Sequence, residues 1–156
     1  MDVIPERANV EYMNPKYIYP NGTVNVRRYG RKSRYYINVM GTTKHTWNNN
    51  VTLTLGVGQL LHNEFRPSFV EIKDRLCDLI NKEPFVGGAL RNIGLVCPMR
   101  AGFQNLLNIT APTEHFPSVF PFEHGRLEIS LNVTDTKEQM LLIYIVVSFK
   151  QKFTGK

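Results

Sequence analysis

Residues 126–134 read RLEISLNVT, and their alternation is the strongest constraint in the chain. Leu127, Ile129, Leu131 and Val133 fall on one side; Arg126, Glu128, Ser130, Asn132 and Thr134 fall on the other. A period of two is that of a strand with one buried and one wet face. After the turn signal Asp135-Thr136-Lys137, residues 139–150 are apolar on both faces, as in a central strand. Val51, Leu53, Leu55 and Val57 repeat the alternation behind the turn Asn48-Asn49-Asn50, and briefer alternation at 23–27, 34–42 and 101–110 predicts further strands. Residues 1–20, with Pro5, Pro15 and Pro20, read as an extended arm or an edge strand.

Residues 67–83 depart from this pattern. Phe69, Val70, Ile72, Leu76, Cys77, Leu79 and Ile80 recur at spacings of three and four, which predicts a short helix over about 68–82. Ser68 with Glu71 forms a capping-box pattern, and Pro84 stops the helix. The prolines at 117 and 121 punctuate a further turn. The expected fold is mainly β: an immunoglobulin-like sandwich of about six to eight antiparallel strands with one short helix. It comprises an arm at 1–20 and a single domain at 21–151. At 156 residues, 42% hydrophobic and 21% charged, the chain has globular composition.

Four N-x-[ST] patterns begin at Asn21, Asn50, Asn108 and Asn132. Each Asn lies in a turn or on a polar strand face, where sugar can be attached. This agreement predicts a secreted, extracellular glycoprotein, although the first residues, MDVIPERANVEY, contain no apolar signal segment. In an oxidising compartment the two cysteines, Cys77 and Cys97, would form a disulfide. In a reducing one they would be two buried thiols.

No catalytic constellation is recognisable. His45, His62, His115 and His124 lack catalytic spacing, no serine has a G-x-S-x-G context, and Gly56-Val57-Gly58 is a lone G-x-G inside a strand pattern. Two cysteines without clustered His or carboxylates are too few for zinc. The expectation is a protein with no catalytic residues, no metal and no cofactor. No run of apolar residues approaches the ~20 of a membrane helix. Arg27, Arg28, Arg31, Lys32 and Arg34, interleaved with tyrosines, offer a site for an anionic headgroup; equally, they are a solvated hairpin whose charges guard a sheet edge. In a secreted protein nucleic acid is not the expected partner.

The segments "DRLCDLI", "NIGLVCPMRAGFQNLLNI" and "HFPSVFPFEHGRLEISLNV" follow in an order that resembles the insect secreted CheB-like proteins. That group is similar to the lipid-recognition (ML) family and the ganglioside activator. The likeness spans about residues 20–150 and is most specific at the helix cysteine, Cys77, and at a CPxxxGF pattern that matches Cys97 and Phe103. It implies two sheets splayed around an apolar cavity that takes a lipid, fatty acid, hydrocarbon or pheromone, in chemosensation or lipid handling. Ganglioside activator-type proteins carry more cysteines, and their headgroup-reading residues have no match here. Strand parity nominates Leu53, Leu55, Val57, Phe103, Leu107, Ile109, Leu127, Ile129 and Leu131 as cavity-lining residues. The same stripes would also fill a closed core, as in an immunoglobulin-like interaction module.

Overall fold

In the computed structural model, which describes residues 2–110 and 123–150, two antiparallel sheets pack as a β-sandwich. Among the described residues the chain order is β1 (Asp2–Met13), β2 (Thr23–Arg28), β3 (Tyr35–Thr43), β4 (Val51–Leu61), β5 (Glu64–Arg75), α1 (Leu76–Lys82), α2 (Val86–Asn92), β6 (Gly102–Ile109), β7 (His124–Val133) and β8 (Gln139–Lys150). The larger sheet runs β1-β8-β7-β4-β5 and the smaller β2-β3-β6. His115 and the proline segment around 117–121 lie outside the described residues.

The two strands with the cleanest sequence signals are interior to the larger sheet. β7 pairs with β4 (Leu131 opposite Leu53, Ile129 opposite Leu55) and with β8 (Ile129 opposite Ile143). Their inward side chains make the core: Val51, Met140 and Val147 are fully buried, and each such aliphatic contributes roughly 1.5–3 kcal/mol of transfer free energy. The amino-terminal segment is an edge strand, β1, paired with β8. Pro5 lies at a register shift there, where a residue without an N–H does least harm.

The helix reading of 68–82 needs correction. Residues 64–75 are strand β5, joined to β4 by a turn in which His62 and Asn63 both take positive φ (51° and 66°), the backbone of a two-residue hairpin. Pairing with β4 (Ile72 opposite Leu55, Lys73 opposite Thr54) overrides the helical spacing, and α1 starts only at Leu76. The Ser68/Glu71 capping box therefore does not cap it. A side chain from elsewhere does: Asn49 Oδ1 accepts the backbone N–H groups of Cys77 (3.0 Å) and Asp78 (3.2 Å). The fold also has a second helix, α2, beyond the one expected. Glu83 caps it, its carboxylate accepting from Phe85 N (2.7 Å) and Gly87 N (2.8 Å).

Cys77 on α1 and Cys97, in the segment leading to β6, form a disulfide with a Cα–Cα distance of 5.6 Å. Because α1 continues the larger sheet and β6 belongs to the smaller, the bridge ties the two layers together. Beside it, Trp47 and Met99 exchange backbone hydrogen bonds (2.8 and 2.9 Å).

Candidate functional site: an apolar cavity between the sheets

The two layers do not meet everywhere. Between them lies a cavity of about 190 Å³, where a single water needs only ~10–15 Å³. Leu53, Ile129, Leu131, Ile143 and Ile145 line it from the larger sheet. Val24, Ile37, Val39, Leu106 and Ile109 line it from the smaller. Leu76 of α1 and Val86, Ala89 and Leu90 of α2 close one end together with Trp47 and Met99. Among the described residues the wall contains no Asp, Glu, Lys, Arg or His; Thr23, Thr43, Gln104 and the Trp47 indole are its polar side chains.

Of the nine residues nominated by strand parity, Leu53, Ile109, Ile129 and Leu131 line this cavity. Leu55, Val57 and Leu127 are buried in the core beside it. Phe103 and Leu107 are on the wrong face: they are 64% and 43% exposed, and Gln104 and Leu106 point inward in their place. The cause is a bulge. Ile37 pairs with Ile109 but Val39 pairs with Leu106, so an extra residue enters β6, and Asn108 absorbs it with φ of 61°. The buried Asn38 side chain fills the gap in the ladder, accepting from Asn108 N (2.8 Å) and donating to Asn25 Oδ1 (3.1 Å). An Asn at this point was the available signal, since Asn tolerates positive φ better than most residues. The lining contributed by α2, Trp47 and Met99 had no periodicity to reveal it.

Of the sequon residues, Asn21, Asn50 and Asn108 are exposed and Asn132 is half-buried. Asn50 Nδ2 donates to Thr46 O (3.3 Å), and Asn108 Oδ1 accepts from the Tyr29 hydroxyl (3.1 Å).

Charge is divided between the layers. No Asp or Glu occurs at 12–63 or 84–113, so the three strands of the smaller sheet carry none. Arg27, Arg28, Arg31, Lys32 and Arg34 are all exposed at its hairpin, and among the described residues none has a salt-bridge partner. Arg28 serves the hairpin itself, donating to Gly30 O (2.8 Å) and lying 5.0 Å from the centre of the Tyr35 ring.

One Ser, one His and one Glu do come together away from the cavity. Ser148 Oγ lies 3.4 Å from His124 Nδ1, and Glu6 Oε1 lies 3.8 Å from the same nitrogen. The Ser148 hydroxyl donates to the Glu6 carboxylate. A nucleophile triad needs Ser and carboxylate on opposite imidazole nitrogens; here both approach one. Among the described residues there is no cluster of His, Cys, Asp and Glu that could hold a metal ion, and no helix long and apolar enough to cross a membrane.

No protein-family model and no curated protein matches the chain.

Proposed function

We propose that this chain is a secreted, non-enzymatic binding protein that holds an apolar ligand between its two sheets. The observation that carries the reading is the cavity itself: a closed sandwich fills the space between its sheets with interdigitating side chains, whereas this one leaves a partly open cavity of about 190 Å³ lined almost wholly by apolar residues. Binding would be burial, each enclosed CH₂ contributing about 0.8 kcal/mol. The disulfide and the exposed sequons support an oxidising, secretory setting. The resemblance to insect CheB-like proteins supports chemosensation or lipid handling. The Ser148–His124–Glu6 cluster does not have the arrangement of a nucleophile triad. The carboxylate-free smaller sheet, with its exposed Phe103 and Leu107, supports a meeting with an anionic lipid layer.

The test is native mass spectrometry of protein purified from its source, followed by uptake of an uncharged naphthylamine fluorophore. A stoichiometric apolar adduct, or saturable uptake by delipidated protein, is the expected result. A clean apo protein that takes up no fluorophore would overturn the reading. It would favour an immunoglobulin-like interaction module using the outward Phe103 and Leu107.

A further inference from the structure

Resting on the carrier reading above, we propose that the cavity admits only uncharged ligands, a hydrocarbon chain or its neutral derivatives, and excludes an ionised head group. An ion withdrawn from water needs an opposite charge and several hydrogen bonds in its new site. Among the described residues the cavity wall provides no charge of either sign. Apart from the Trp47 indole, its few polar side chains are already engaged or lie at the surface. Thr43 Oγ1 donates to Gly102 O (3.4 Å). Gln104 Nε2 donates to Arg100 O (2.7 Å) and to Gly102 O (3.4 Å), so its amide nitrogen is held by its own turn. Thr23 is exposed. Among the described residues the Trp47 indole N–H is the one buried side-chain polar group without a partner, and it is a single neutral donor. It could meet an ester, carbonyl or hydroxyl oxygen but could not compensate a carboxylate. The cations of the smaller sheet give no help inside: Arg27 and Arg28 are exposed and form no part of the wall.

The experiment displaces the bound naphthylamine fluorophore at neutral pH with four compounds of equal chain length, each below its aggregation concentration: an n-alkane, a fatty-acid methyl ester, the fatty-acid carboxylate and the alkylammonium. The alkane and ester should displace at concentrations at least about ten-fold lower than either ion, a ratio equal to ~1.4 kcal/mol. Gln104→Lys, which adds one ammonium to the wall, should narrow the gap for the carboxylate and widen it for the alkylammonium. Carboxylate and ester displacing equally well from the unmodified protein would overturn the class assignment while leaving the carrier reading intact. Gaps unchanged in Gln104→Lys for both the carboxylate and the alkylammonium would also overturn it, since the wall charge would then not be what selects. If the protein never takes up the fluorophore, the carrier reading itself falls.

Discussion

Gly87 packs so tightly on Leu79 that a Cβ at position 87 would stand 1.9 Å from the Leu79 carbonyl oxygen. The neighbour is backbone of α1 and cannot swing aside, so α2 would have to lift away. Gly87→Ala gains about 1 kcal/mol of helix propensity, yet overpacking of this kind costs roughly 1–3 kcal/mol or more. We expect a net loss of stability in urea unfolding. Weakened fluorophore uptake should accompany it, because α2 also supplies Val86, Ala89 and Leu90 to the cavity wall. Gly88 is the control: its nearest neighbour is the end of the Arg91 side chain at 3.6 Å, an ordinary contact. Gly88→Ala should stabilise by about 0.4–1 kcal/mol. Equal effects at the two positions would refute the close-approach account.

The Cys77–Cys97 bridge closes a separation of 20 residues and joins the two layers at the helical end of the cavity. Removing it as Cys77→Ala/Cys97→Ala should cost about 3 kcal/mol in the chain-entropy picture. Part of the structural effect should be local: amide exchange should quicken in α1, α2 and the lead into β6 before it does in β7 and β8. Uniform quickening across both sheets would show that the bridge acts on the whole domain and not as a clamp between layers.

How far the sequence carried this fold depends on which face each residue had to bury. β7 and β8 were legible because pairing on both sides leaves their alternation or their apolar run no other use. β5 was not, because Ile72, Leu76, Leu79 and Ile80 satisfy a helical spacing. Only the presence of β4 alongside decides that residues 64–75 extend. The cavity was half legible. Parity found Leu53, Ile109, Ile129 and Leu131, but it failed for Phe103 and Leu107 in β6, where one bulge at Asn108 exchanges inward and outward residues. The contribution of Trp47, Met99 and α2 depends on long-range docking, which leaves no periodic trace.

The cationic hairpin makes a separate prediction for the surface. Among the described residues the side chains of Arg27, Arg31, Lys32 and Arg34 make no hydrogen bond or salt bridge, Arg27 lying over the Tyr29 ring, whereas Arg28 is occupied in holding the turn. Binding to phosphatidylserine-containing vesicles should exceed binding to phosphatidylcholine vesicles and should weaken with salt, at about 1 kcal/mol per cation near the surface. Replacing those four residues by Ala while keeping Arg28 should abolish the difference without lowering thermal stability. Salt-independent binding, or binding unchanged in the variant, would leave the charges as guards of the β2 edge and nothing more.

At the opposite corner, the Tyr17 hydroxyl donates to the Glu138 carboxylate, with the Lys16 ammonium 3.3 Å from the same oxygen. The Tyr17 hydrogen bond, with help from Lys16, holds the Glu138 carboxyl below its ordinary 4.5. In return the carboxylate raises Tyr17 above 10.0 and Lys16 above 10.5. The signs set the pH window. A carboxyl whose folded pKa is depressed stabilises the fold above its ordinary value and loses that contribution as pH falls through the depressed one. A phenol or ammonium whose folded pKa is raised stabilises below its ordinary value and loses the contribution as pH rises through the raised one. The trio therefore acts across neutral pH and fades at both ends. All three groups face solvent, so the effect should also shrink with salt. In Tyr17→Phe the Glu138 carboxyl, followed by NMR titration, should return toward 4.5 and the acid limb of the stability profile should flatten. A Glu138 titration that is identical in the variant would show that Lys16 and Asn14 set it without Tyr17.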